Sequence, residues 1–255
     1  MAYFRAASGY RPGGPNVPGL GIPTSVAADT LVSAELGIKS TWLDGKLGFN
    51  TAAYQIDWNH IQIISVAPPP VSVTYGANGN TATVHGIEAA TVFSPVANLR
   101  FDSNLTYTHA VLSAPMPTGS TLVGDRGDRL PYIPLWSGSL AADYTHVLRH
   151  DWVGKLGAGW RYTGQRYTTI DNLGNCPTNC AGAQSLPSLR PYGVFDLHAG
   201  VSDDRWKVRL AVRNLTNKYA VVDMSGSGGL SFDPAPIAAT VLSGRLITLG
   251  VDRQF

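Results

Sequence analysis

The sequence predicts an all-β fold, an antiparallel up-and-down transmembrane β-barrel segment of about ten strands, and three observations predict it. Apolar and polar side chains alternate with a period of two through segment after segment, as in a strand that meets different media on its two faces. The connections between these segments are short and long in strict alternation, and membrane barrels gather short turns at the periplasmic rim and long loops at the other. The composition suits an oily exterior: charged residues are 14% of the chain, against about 25% in soluble domains.

The bulk numbers exclude several classes. No uninterrupted apolar run approaches the ~18 residues that a membrane helix needs, so any crossing uses strands. A net charge of +2 without a basic cluster argues against a nucleic-acid partner. The opening MAYFRAASGYRPGG has no basic stretch leading into an apolar core, so it does not read as a secretory signal. A fragment, a mature chain or a truncated gene product is therefore expected, with Met1 not necessarily a natural start.

The first strand is expected at Ala2 to Gly9, before the Gly/Pro-rich RPGGPNVPGLGIPTS. In the second, LVSAELGIKSTW, Val32, Ala34, Leu36, Ile38 and Trp42 share one face and Glu35, Gly37 and Lys39 the other. The turn Leu43-Asp44-Gly45 carries the Asp-Gly pair that tight hairpins favour. A long third strand, Lys46 to about Ile64, shifts its oily parity from Leu47 and Phe49 to Tyr54, Ile56 and Trp58. That shift predicts a β-bulge near Thr51 to Ala53.

The fourth and fifth strands span Thr81 to Phe93 and Leu99 to Val111, the sixth Ile133 to Val147, and the seventh Trp152 to Gly164. Tyr192 to Val201 and Trp206 to Val212 form the eighth and ninth, and RLITLGVDRQF closes the chain. Through these strands Glu35, Lys39, Glu88, Arg100, Asp102, Asp143, Lys155, Arg161, Asp196, Arg209 and Asp252 keep to one parity. A lipid-facing charge costs up to about 2 to 4 kcal/mol at the bilayer midplane, so this parity is expected to line a wet lumen or meet whatever fills it. Glycines on the same parity would let a lumen-filling element approach closely. Trp42, Trp152 and Trp206 beside the short turns, and Trp58, Trp136, Trp160 and Tyr107 toward the long loops, predict two interfacial girdles.

Other motifs carry less. Cys176 and Cys180, in NLGNCPTNCAG, are either two free thiols or a small loop disulfide, and an oxidising compartment favours the disulfide. No further ligands accompany them, so no metal site is expected, and no cofactor either. Asp125, Asp128 and His109 are the nearest approach to a protease constellation, yet GDRGDR reads more simply as a solvated loop, and no enzyme is expected. His85 and His198 fit hydrogen-bonding residues of a polar wall better than ligands. Asn104 and Asn214 match glycosylation acceptors but fall in or beside strands.

Several stretches together carry a resemblance: ASGYRPGGPN, AELGIKSTWLDGKLGFNTAAYQIDW, GIEAATVF, GDRLPYIPLWSGSLAADY, and VRLAVRNLTNKYA followed by the terminal strand ending in Phe255. In order and spacing the chain resembles the C-terminal half of the barrel of TonB-dependent outer-membrane receptors. Residues 1–255 then read as a partial barrel, without the family's plug domain, and Arg253 stands where an aromatic or aliphatic residue is usual. The resemblance implies a bacterial outer-membrane location and uptake of a scarce, bulky solute such as a ferric siderophore. Its partners would be outer-membrane lipid, the plug of the intact parent, and TonB through that parent. A passive porin-like or adhesin-like barrel is the alternative reading.

Ligand capture is expected on the loops at about Arg11 to Thr30, Ala67 to Asn80, Ser113 to Leu130, Gln165 to Leu189 and Asn217 to Ser243. Tyr10, Arg11, Tyr75, Arg126, Arg129, Arg166 and Tyr167 are the expected contacts, because guanidinium groups suit anionic chelates.

Overall fold

The computed structural model describes residues 1–19, 21–67, 71, 73–117, 124–149, 151–170, 188–226 and 237–254. In chain order its strands are β1 (Ala2–Arg11), β2 (Gly14–Pro15), β3 (Ser25–Val26), β4 (Asp29–Trp42), β5 (Leu47–Asn59), β6 (Gln62–Val66), β7 (Thr74–Asn78) and β8 (Ala82–Val96). They continue as β9 (Leu99–Leu112), β10 (Trp136–Val147), β11 (Val153–Thr163), β12 (Tyr192–Ser202), β13 (Trp206–Arg213), β14 (Val221–Gly226), β15 (Ile237–Val241) and β16 (Leu246–Arg253). One antiparallel sheet of ten strands runs β1-β4-β5-β8-β9-β10-β11-β12-β13-β16, each pairing with the next, with β1 and β16 as open edges. The pairs β2–β3, β6–β7 and β14–β15 are separate small sheets inside long connections.

Short turns hold the sheet in register at one rim. At the β4–β5 turn Leu43, Asp44 and Gly45 all take positive φ, and Lys46 N–H closes the turn on the Leu43 carbonyl. Left-handed backbone at successive turn positions matches the twist of the flanking strands, which explains the Asp-Gly pair. The remaining short turns are residues 97–98, 148–152 and 203–205. Every long connection lies at the opposite rim.

Directly paired residues share a face, so the registers assign every side chain to one of two surfaces. One carries Phe4, Leu36, Ala53, Ile87 and Tyr107, continues through Leu140, Trp160 and Phe195, and ends in the row Leu210–Leu249. The other carries all eleven predicted wall charges, and adds Arg5, Lys207 and Arg213. Four ion pairs cross the charged surface: Arg100–Asp102 at 2.6 Å, Arg161–Asp196 at 2.8 Å, His198–Asp143 at 2.9 Å and Arg209–Asp252 at 2.6 Å.

The third strand departs from expectation in two ways. No bulge occurs near Thr51 to Ala53, because β5 keeps unbroken register with both β4 and β8. The parity shift has another cause: beyond about Gln55 the two surfaces exchange character. Gln55 and Asp57 project from the otherwise apolar face, while Ile56 and Trp58 turn to the other face, where Val84, Ala82, Ala110 and Leu112 join them. There Ile61, Ala82, Ala110, Leu112 and Leu130 form a dry cluster, with Trp58, Met116, Ile133 and Ile170 packed on it. A wall that has left lipid needs polar groups outside, and loops folded over its inner side need an apolar floor. Trp58 therefore belongs to this floor and not to the girdle. In the ten-stranded sheet the register shifts instead between Phe93 and Val96, at the short-turn rim.

The second departure is a break at His60, whose φ of 54° ends β5. Gln62 onward forms the β6–β7 hairpin, so much of the loop expected to be irregular is paired. The inward glycines also differ from expectation. A Cβ on Gly37, Gly86 or Gly157 would collide with Tyr3, Tyr54 or His198 from the adjacent strand, so at these three positions the space seats a neighbour's ring. Cys176 and Cys180 lie outside the described residues.

Candidate functional site

The long connections converge above the dry cluster, and hydrogen bonding makes them one platform. Side-chain amides replace missing backbone pairings there. Asn16 Nδ2 donates to the Gly76 carbonyl at 2.8 Å while its Oδ1 accepts from Gly76 N–H at 2.9 Å. Asn78 makes the same double bond to the backbone of Ala27, at 2.8 and 3.0 Å. Both tie residues 12–28 to the β6–β7 hairpin, so neither segment hangs free.

Asp29 anchors this side. It is 4% exposed and receives Arg11 Nη2 at 2.6 Å, with the Gln62 N–H at 3.4 Å. Burial alone would raise its pKa, but the Arg11, Gln62 and Trp58 hydrogen bonds outweigh that and hold it below the usual carboxylate value. A depressed folded pKa contributes stability above the unfolded value and loses it as pH falls through the folded one. Acidification below about pH 4 should therefore loosen the β1 end from the hairpin. Asp29→Asn should remove that acid transition in tryptophan fluorescence, and an unchanged transition would show that the Arg11–Asp29 contact does not hold the platform.

A second cluster forms where residues 124–135, 164–170, 188–192 and β14 meet. The Tyr132 N–H donates to the Tyr167 carbonyl at 2.8 Å and its hydroxyl to the Met224 carbonyl at 2.6 Å. Burial, then a hydrogen bond with Asp223, pushes the Tyr132 phenol above its ordinary pKa. Its φ of 62° bends the chain in the stretch GDRLPYIP. The Arg129 guanidinium lies 5.3 Å from the Tyr167 ring centroid and donates to the Ile133 carbonyl at 2.8 Å. The Arg166 guanidinium lies 5.8 Å from the Tyr192 ring centroid. Its Nε and Nη2 are buried without a hydrogen-bond partner among the described residues. Donors left so are costly, and an anion that reached them would be bound strongly.

Of the seven expected contacts, this cluster gathers Arg129, Arg166 and Tyr167. Arg126 is exposed on the neighbouring turn, and Tyr75 sits in the β6–β7 hairpin opposite Ser65. Arg11 is held by Asp29, and Tyr10 projects from the opposite face beside Thr30, 75% exposed. Sequence reasoning missed Tyr132, Tyr192 and Asp223. Only the positive φ at Tyr132, between two prolines, had a local signal, and it was weak.

The protease constellation does not assemble. His109 projects from the face opposite the dry cluster, its ring centroid 4.9 Å from that of His85, and its Nδ1 has no hydrogen-bond partner among the described residues. Asp128 instead caps its own turn, accepting from the Asp125 N–H at 2.7 Å. His85 therefore does not face the lumen wall, whereas His198 does and bonds Asp143 there.

Comparison with known proteins bears on what such a wall and platform serve. The family model for the TonB dependent receptor-like beta-barrel matches residues 1–215. Among solved structures, the ferric yersiniabactin uptake receptor of Yersinia pestis superposes with a TM-score of 0.74 at 19% identity, covering 100% of this chain and 35% of that one. The ferric preacinetobactin receptor of Acinetobacter baumannii gives 0.71 at 17%, covering 100% and 34%. The ferric-catecholate import receptor of E. coli K12, in its closed form, gives 0.69 at 19%, covering 100% and 33%. The chain thus spans about a third of the length of these structures, and at such identities the likeness establishes the fold. No curated protein matches the sequence.

Proposed function

The chain belongs to the TonB-dependent receptor β-barrel family, and from that premise we propose that it is the C-terminal wall of an outer-membrane receptor that imports a ferric siderophore or a similarly bulky anionic chelate. The apolar face meets lipid, and the charged face meets the plug of the intact parent, through which TonB delivers energy. The observation that carries the ligand class is the pair Arg129 and Arg166, each over a tyrosine ring, with buried Arg166 donors unmatched among the described residues. Guanidinium donors on an aromatic backing suit the charge and flat faces of aryl chelates. Arg126 extends that surface on the neighbouring turn, whereas Tyr10, Arg11 and Tyr75 lie outside it.

Ligand binding to the intact receptor tests this. Hydrogen bonds to charged groups contribute about 1.5 to 3 kcal/mol, so Arg166→Leu should weaken ferric-siderophore binding about tenfold or more. Arg126→Ala, on the exposed turn, should weaken it less. Unchanged affinity in Arg166→Leu would remove the ligand assignment. Uptake that survives loss of TonB would instead favour a passive barrel.

A further inference from the structure

The pair His85 and His109 belongs neither to the charged wall nor to the arginine cluster. The two are direct register partners on the adjacent strands β8 and β9, and both project from the same face as Ile87 and Tyr107. Their ring centroids are 4.9 Å apart, with the planes inclined by 45°. Gln55 of β5 completes the row, at the level where this face turns from apolar to polar and has left lipid. Water therefore reaches the pair. His85 is exposed and His109 half-buried, and His109 Nδ1 is buried with no hydrogen-bond partner among the described residues. A buried imidazole nitrogen left so is unfavourable, and an ion bound between the rings would use it.

We propose that His85 and His109 together bind one divalent transition-metal ion of the imidazole-seeking kind, Cu(II), Ni(II) or Zn(II). Directly opposed residues of neighbouring strands can each turn one ring nitrogen toward a point between them, which makes a chelate and not two separate ligands. The surroundings decide the class of ion. Among the described residues no third histidine, cysteine or carboxylate joins the pair in a metal-holding group. Asp57 accepts from Gln55 Nε2 at 3.3 and 3.4 Å and from Thr83 Oγ1 at 3.2 Å, so its carboxylate is engaged in the next row. That row runs Asp57, Thr83, Val111, Arg129, and the charges at its two ends offset each other. Ca(II) and Mg(II) need several oxygen ligands and are disfavoured here, whereas ions that prefer nitrogen are not. Water fills the remaining positions, which leaves the ion exchangeable. The site needs no siderophore and stands apart from the import reading given above.

The test adds one equivalent of Cu(II) to the intact receptor in detergent and counts coordinated imidazoles by pulsed electron paramagnetic resonance, with a Cu(II) titration giving the affinity. The unmodified receptor should show two imidazoles on one ion. His85→Ala and His109→Ala should each leave one at most and weaken binding about tenfold or more, since losing a ligand costs no less than the roughly 10- to 100-fold of losing an outer-shell partner. His146→Ala, on the same face near the short-turn rim, should change neither reading. His85→Gln separates ligation from folding: it keeps an exposed polar side chain, so heat-modifiable mobility should hold while the second imidazole is lost. Fewer than two imidazoles on the unmodified receptor, unchanged affinity in His85→Gln, or an equal loss in His146→Ala overturns the proposal.

Discussion

Leu140→Arg is expected to destabilise the barrel by about 2 to 4 kcal/mol, whereas Ser139→Arg, one residue earlier, should cost little. Leu140 is 50% exposed and lies midway along β10, paired with Ser103 and Trp160 on the apolar face. Exposure of this kind is unfavourable in water and favourable in hydrocarbon. A guanidinium there must either enter the bilayer core or drag water with it. Ser139 points to the other surface, between Asn104 and Arg161, where a second cation meets polar neighbours and solvent. Denaturant unfolding of the intact receptor in lipid vesicles measures both variants. Equal costs would mean that the two faces do not see different media, and the membrane assignment would fail with them.

Asn214→Ala is expected to cost about 3 kcal/mol, because it removes three side-chain hydrogen bonds to the backbone at once, each contributing about 1 kcal/mol. Asn214 is 4% exposed and has a φ of 51°. Its Nδ2 donates to the Lys218 carbonyl at 3.0 Å and to the Ser243 carbonyl at 2.9 Å, and its Oδ1 accepts from the Lys218 N–H at 2.7 Å. Its own N–H donates to Asp196 Oδ1 at 2.8 Å, and the other oxygen of that carboxylate holds Arg161. One residue thus joins the end of β13 and the approach to β16 through its side chain, and the charged wall of β11 and β12 through its backbone N–H. Asparagine also tolerates left-handed backbone better than alanine does. Asn214→Asp keeps the acceptor but sets a carboxylate oxygen against the Lys218 and Ser243 carbonyls, so it should cost at least as much. Heat-modifiable gel mobility and thermal unfolding report the loss; an Asn214→Ala barrel as stable as the parent would show that the RNLTNK stretch is not the closing knot.

The ten strands, their short turns and the sorting of eleven charges to one face were legible in the chain. Strand periodicity is local: each residue's side follows from its neighbour's, and one medium per face enforces it over the whole length. The misreading of β5 came from assuming that each face keeps one medium from end to end. Tyr54, Ile56 and Trp58 stay on the charged face throughout, and it is the surroundings that change, from lumen to packed loops. The platform was harder to see. Nothing local in Asn16 names Gly76 as its partner, and nothing in Arg166 names Tyr192, because each contact joins segments far apart in sequence.

By itself, then, the sequence determined that this protein is an open run of hairpins with one oily and one charged surface, because alternation and turn chemistry act between adjacent residues. Tertiary structure alone decided where the oily surface ends, which loops lock together and that Arg166 is left, among the described residues, with buried, unmatched donors. Those outcomes depend on which distant groups meet once the strands are in register, and burial, not residue identity, sets what each group then needs.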